Sequence, residues 1–207
     1  MSSIFFRFHG KERAVRGLTI GLYGGTFDPP HQGHVHVAET AIAAAGLDQI
    51  WWLVSPQNPL KARSAPPVED RMIAARRLAH NPRMVVSDLE ARIAARYTIQ
   101  TIEHLQARAR GVRFILVIGG DSFDNLHRWR RWADIVRKVP ILIVARPGFG
   151  LKGRLGPTAR RFAGARVFEG SANTLKWRRG QAWTYVTARW RADSSTRLRE
   201  QARKNKP

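Results

Sequence analysis

The chain of 207 residues contains no cysteine, which excludes disulfides and thiolate metal sites and sets a reducing compartment as the expectation. It also lacks any long uncharged apolar stretch, so no segment reads as a helix that could span a bilayer. Met1-Ser-Ser-Ile-Phe-Phe-Arg-Phe-His9 carries too short an apolar run for a secretory signal, and the reading is a cytoplasmic protein with no membrane partner. No internal repeat stands out. Acidic residues are scarce, 15 against 36 lysines and arginines, for a formal net charge of +21. A surplus of that size raises nucleic acid as a partner, yet its distribution argues against one. Leu151 to Pro207 holds 15 basic and 3 acidic residues, many as pairs such as Arg160-Arg161 and Arg178-Arg179, without the interleaved aromatics of an RNA module. Incidental charge is the leading reading, ahead of steering of anionic nucleotides and of nucleic-acid binding. Two common phosphate signatures are missing as well. Gly-x-x-x-x-Gly-Lys-Ser/Thr occurs nowhere, and Gly21-x-x-Gly24-Gly25 does not fit the Gly-x-Gly-x-x-Gly fingerprint.

What is present is an alternation of short apolar runs and helical segments. Leu18, Ile20 and Leu22 mark a first strand, and Val35 to Ala45 reads as a helix ended by Gly46. Further strands are expected at Gln49–Val54, Met84–Ser87, Arg113–Ile118, Ile141–Ala145 and Ala182–Thr187. Helices are expected at Val68–Ala79, Thr98–Arg110 and Ala133–Lys138, with a last one beginning near Ser194. Near-continuous apolar strands alternating with helices imply an α/β fold: a doubly wound, Rossmann-like parallel sheet with helices on both faces. Ligands are then expected beyond the carboxyl ends of the strands. Residues 1–17 read as a basic extension, 18–200 as a single domain and 201–207 as a basic tail, while residues 148–180 read as loops.

Gly21-Leu-Tyr-Gly-Gly-Thr-Phe-Asp-Pro-Pro-His-Gln-Gly-His34 joins the first strand to the first helix. Gly24 and Gly25 let backbone approach a ligand closely, and the helix start offers N–H groups at the positive end of the helix dipole. Thr26, His31 and His34 add side-chain donors at the same point, so an anion belongs there. Three histidines within six positions, His31, His34 and His36, raise zinc as an alternative. On a helix, however, His36 points away from His34, and no glutamate stands as in a His-Glu-x-x-His site, so no metal site is assigned.

The segment Gly24-Gly-Thr-Phe-Asp-Pro-Pro-His-Gln-Gly-His34 resembles the signature of the His-x-Gly-His nucleotidyltransferases, and its Pro-Pro-His form is similar to that of nicotinate-nucleotide adenylyltransferases. Asp193-Ser-Ser-Thr-Arg-Leu-Arg199 suits a helix cap followed by an arginine one turn on, and it resembles the family's second signature, with Asp193 in place of the usual aliphatic residue. Trp52 to Lys61 resembles the loop that closes over the mononucleotide, with Asn58 and Lys61 as polar candidates, while Trp51 and Trp52 read as sheet packing. Tyr97 and Thr98 lie at a helix start able to hold a carboxylate, and the family's corresponding segment contributes to the nicotinate pocket. A plain N-cap by Thr98 is the other reading. Gly119-Gly-Asp-Ser-Phe-Asp-Asn-Leu-His-Arg-Trp129 keeps the family's glycine, aspartate, histidine and tryptophan at Gly119, Asp121, His127 and Trp129. Asp121 can accept from ribose hydroxyls, and Trp129 can stack on a pyridinium or pack in the core, with Trp132 assigned to the core.

The resemblance implies transfer of the adenylyl group of ATP to nicotinate mononucleotide, with Mg²⁺ bound along with ATP. His31 and His34 would contact the phosphates and stabilise charge at the reacting centre, while Gly24, Gly25 and Thr26 seat them. Ser195, Thr196 and Arg199 would hold the leaving pyrophosphate. Nicotinamide mononucleotide or phosphopantetheine is the alternative acceptor, and a nucleic-acid-binding protein on the same fold is the alternative of another class. Homo-oligomerisation is left open.

Overall fold

The computed structural model describes residues 5–7, 12–56, 65–145 and 155–187. Two short strands, β1 (Phe5–Arg7) and β2 (Arg13–Val15), form an antiparallel hairpin ahead of the main sheet. No such pairing was readable in the first 17 residues, because three-residue strands are too short to show alternation. Just before β2, Glu12 is 1 % exposed and accepts from the hydroxyl of Ser87 and the guanidinium of Arg92, which ties the hairpin to the body of the protein.

The main sheet contains β3 (Thr19–Gly25), β4 (Gln49–Val54), β5 (Met84–Ser87), β6 (Arg113–Gly119), β7 (Ile141–Ala145) and β8 (Trp183–Thr187). Its six strands are all parallel, in the order β5-β4-β3-β6-β7-β8. Strand residues alternate between two cores, as a period of two requires. Ile20, Leu22, Trp51, Leu53, Phe114, Leu116, Ile118, Ile141 and Ile143 enter one. Tyr23, Ile50, Trp52, Val54, Ile115, Val117, Leu142 and Val144 enter the other. Both faces are therefore dry, which explains runs without polar residues. The doubly wound α/β reading is what the structure has.

The first core is covered by α3 (Leu89–Arg92), α4 (Thr98–Arg108), α5 (Gly120–Asp124), α6 (Trp132–Lys138) and α7 (Pro157–Arg161), all of which contribute buried residues to it except α3's last positions. The second is covered by α1 (Gln32–Ala45), α2 (Val68–Arg76) and a 3-10 segment at Glu169–Trp177. Gly46 ends α1 in the left-handed conformation, φ 61, and its N–H bonds the carbonyl of Ile42. Helices α2 and α4 stop two or three residues short of their expected ends, at turns that continue the chain with looser geometry.

Residues 155–180, expected as loops, instead hold α7 and 3-10 turns at Ala163–Ala165 and Glu169–Trp177. Ala172 and Leu175, three apart, are buried beneath that last segment, so packing rather than a 3.6-residue period sets its conformation. Trp51 and Trp52 are fully buried in the sheet, as expected. Trp132 is half-buried against the first core, with Phe162 at its edge and the Arg161 guanidinium over its face. The helix expected from Ser194 lies outside the described residues.

Candidate active site

Strand order reverses between β3 and β6: connections from β3 run outward through β4 to β5, and those from β6 run the other way through β7 to β8. A doubly wound sheet opens a crevice at such a reversal, beyond the carboxyl ends of the strands. Gly24 and Gly25 end β3, Gly119 ends β6, and Gly120 begins α5, so the glycine-containing turns after β3 and β6 meet at that crevice. A side chain on Gly24 would point into open space, while a Cβ added at Gly120 would meet the Cβ of Ala145 at 3.5 Å, an ordinary contact. Space beside the backbone is thus open at Gly24 and bounded by Ala145 at Gly120.

The loop after β3 is held in a specific shape. His31 is the N-cap of α1 and is buried, with its Nδ1 accepting from the backbone N–H of Gly33 at 3.0 Å. In return the backbone N–H of His31 donates to Nδ1 of His34 at 3.1 Å. A ring nitrogen that accepts carries no proton, so both neutral imidazoles hold theirs on Nε2 and present that nitrogen as a donor. The rings sit 3.9 Å apart between centroids and are tilted by 41°. This corrects one expectation. The N–H groups of Gly33 and His34 are spent within the cap, the second on the carbonyl of His31 at 2.9 Å, so the histidine side chains take over the donor role expected of the helix start.

An aromatic wall backs the pair. Phe27 lies 5.0 Å from the His34 ring and stacks on Trp52 at 5.2 Å with a 7° interplanar angle, while Tyr23 meets both edge-on. Phe27 has φ 46, a left-handed conformation that costs a non-glycine residue about 1–2 kcal/mol. Aromatic stacking of this kind contributes about 0.5–1.5 kcal/mol beyond burial, so it offsets that cost.

Two polar residues beneath the loops escaped sequence reading. Arg71 on α2 is 3 % exposed, and its guanidinium donates to four carbonyls: Pro66 at 2.8 Å, Thr26 at 2.6 Å, Ser55 at 2.8 Å and Pro56 at 3.1 Å. Burial lowers its pKa, and the negative charge of Asp28 opposes that shift. In Glu69-Asp70-Arg71 it reads as one more surface charge, but its spacing of four from the buried Ala75 places it on the inward stripe. Glu90 on α3 is buried too. Burial raises its pKa, and hydrogen bonds from Ser55 and from Thr101, the latter at 3.0 Å, oppose the rise. A four-residue helix shows no period that could have marked it.

The acceptor side is only partly described. Tyr97, not Thr98, is the N-cap of α4, and Gln100 Oε1 accepts from the backbone N–H groups of Arg96 and Tyr97 at 2.9 and 3.0 Å. The Thr98 cap expectation is therefore corrected: Thr98 is the first helical residue, and a side chain one turn on satisfies the N–H groups just before it. Trp129 is half-buried against the first core, and Asp121 is exposed in the first turn of α5 with its carboxylate folded back over Gly119. The remaining candidates, Asn58, Lys61, Ser195, Thr196 and Arg199, lie outside the described residues. Among the described residues no group of three or more His, Cys, Asp or Glu side chains could hold a metal ion.

Comparison with known proteins places this geometry in a lineage. The cytidylyltransferase-like family matches residues 22–201. A probable nicotinate-nucleotide adenylyltransferase of Cereibacter sphaeroides is 46 % identical over 186 residues, covering 90 % of this chain and 98 % of that protein. Counterparts from a Caulobacter species and from Rhizobium meliloti are also 46 % identical, each over 88 % of this chain and 97 % of its own. Among solved structures, the nicotinic acid mononucleotide adenylyltransferase of Plasmodium falciparum complexed with NaAD aligns with a TM-score of 0.65 at 15 % identity, over 88 % of this chain and 83 % of that one. A likeness that remote carries the fold alone.

Proposed function

Because this chain belongs to the cytidylyltransferase-like family, and within it to the nicotinate-nucleotide adenylyltransferases, we infer that it transfers the adenylyl group of ATP to nicotinate mononucleotide in NAD biosynthesis. A phosphate oxygen of the mononucleotide attacks the α-phosphorus of ATP in line, the bond from that phosphorus to the bridging oxygen breaks, and pyrophosphate leaves. Both reactants are anions, so the protein's work is alignment and charge neutralisation rather than supply of a nucleophile.

One observation carries the site assignment: two imidazoles, each locked by a backbone hydrogen bond into the tautomer that donates from Nε2, stand at the strand-reversal crevice. Donors fixed before charge develops cost no reorganisation when it does. On this reading His31 and His34 meet the phosphates at the reacting centre, and Gly24, Gly25 and Thr26 seat them. Asp121 takes the ribose hydroxyls of ATP, and Ser195, Thr196 and Arg199 take the pyrophosphate. Asn58, Lys61, Tyr97, Thr98 and Trp129 form the mononucleotide side, with Trp129 offering a stacking face to the pyridine ring.

A divalent cation, assigned as Mg²⁺, fits a site of this kind. Magnesium keeps several waters and is held largely through substrate phosphates, so it would enter with the triphosphate of ATP. Bound there, it would neutralise charge on the triphosphate. The test of the site is His34→Ala. The variant should fold and lose kcat by at least about a hundredfold, since the lost donor acts where charge develops. Near wild-type turnover in a folded variant would remove His34 from the mechanism.

A further inference from the structure

Arg71 stands outside every motif of the reaction, yet it is buried and hydrogen-bonded to the loops assigned to it. Its hydrogen bonds divide between two structures. One goes to Thr26, inside the phosphate-binding loop, and the others go to Ser55, Pro56 and Pro66, which flank the segment carrying Asn58 and Lys61. Ser55 joins the same structures a second time, since its backbone N–H donates to the carbonyl of Gly25 at 2.9 Å. Its side chain also hydrogen-bonds Glu90, whose other partner, Thr101, lies on α4 one turn beyond Thr98. A polar network therefore runs from the ATP loop, through Arg71, Ser55 and Glu90, to Thr101 in the first turns of the helix assigned to the acceptor.

We propose that Arg71 is a positioning residue for adenylyl transfer: by holding the Thr26 carbonyl and both flanks of the 57–64 segment on one rigid guanidinium, it sets the approach of the acceptor phosphate to the α-phosphorus of ATP. The proposal rests on the adenylyl-transfer reading given above. A planar guanidinium with five N–H donors in a fixed fork can span carbonyls from separate segments at once, and a lysine ammonium cannot hold the same arrangement. The bond to Thr26 has a local consequence. Across a planar trans peptide the Phe27 N–H points opposite to the Thr26 carbonyl, so anchoring one orients the other and helps keep Phe27 at φ 46 beneath His34. Arg71 touches neither the triphosphate nor the mononucleotide in this scheme. Its removal should disturb the relative placement of two bound substrates more than the binding of either.

The experiment is steady-state kinetics of Arg71→Lys with ATP and nicotinate mononucleotide varied separately, beside a thermal melt. The expected result is a kcat lowered by at least about tenfold, with each KM within about threefold of wild type and a folded protein at the assay temperature. A folded variant with kcat within about twofold of wild type, or with unchanged kcat and both KM values raised, overturns the proposal. A measurement on the unaltered protein covers the case of a variant that does not fold. Solvent exchange of the Arg71 Nε–H, followed by nuclear magnetic resonance, should slow by at least about threefold when a non-hydrolysable ATP analogue and nicotinate mononucleotide are both present, relative to either alone. Exchange that is the same with one ligand as with two contradicts the coupling. A wild-type chain that releases no pyrophosphate would refute the adenylyl-transfer reading instead, so the two failures are distinct.

Discussion

Single side chains at the proposed site are defined by what fixes them. His31 and His34 have their donor nitrogens chosen by two backbone hydrogen bonds at one helix start, and an aromatic stack behind them limits their movement. Glu90 adds a pH dependence to the same neighbourhood. Its carboxyl pKa is raised by burial, so above the ordinary glutamate range the folded state keeps a proton that the unfolded state has released. Stability contributed by that proton is present at low pH and declines as pH rises through the raised value. Thermal melts across this range should show Glu90→Gln with a shallower loss of stability toward neutral pH than wild type, since glutamine still accepts from Ser55 and Thr101 and does not titrate. Parallel slopes for the two proteins would show that Glu90 is not the group responsible.

At the scale of elements, the strands were readable because burial on both faces leaves an uninterrupted apolar run, and Met84–Ser87 and Ile141–Ala145 fall where expected. Gly46 was readable for a different reason: a helix that must stop in the left-handed region selects glycine. Gly46→Ala should therefore lower unfolding free energy by about 1 kcal/mol without altering kcat or KM, as denaturant titration and kinetics would record. An unchanged or higher denaturation midpoint would mean that the cap carries no strain cost for alanine. What sequence did not disclose has physical causes too. The Glu169–Trp177 turns follow packing rather than a period, and Gln100 displaces the expected role of Thr98 because a long amide side chain can reach back one turn. Arg71 was hidden because its partners are carbonyls from distant segments, and a carbonyl is present at every residue. The histidine motif stood out since it concentrates unusual residues in one short stretch.

For the whole molecule, six parallel strands with one order reversal bring the turns after β3, β4, β5 and β6 to a single edge. That arrangement is what the proposed site requires, since it combines residues about a hundred positions apart, His31 and Trp129 among them. The central claim is that this edge joins ATP to nicotinate mononucleotide. It is tested most directly by pyrophosphate release from ATP and Mg²⁺ with nicotinate mononucleotide, nicotinamide mononucleotide and phosphopantetheine offered separately. The account predicts release with nicotinate mononucleotide, at a kcat/KM more than about tenfold above that for the amide, because a helix start that receives the ring carboxylate, as proposed for Thr98, leaves donors unpaired when the amide binds. Release with phosphopantetheine alone, or with none of the three, would contradict it.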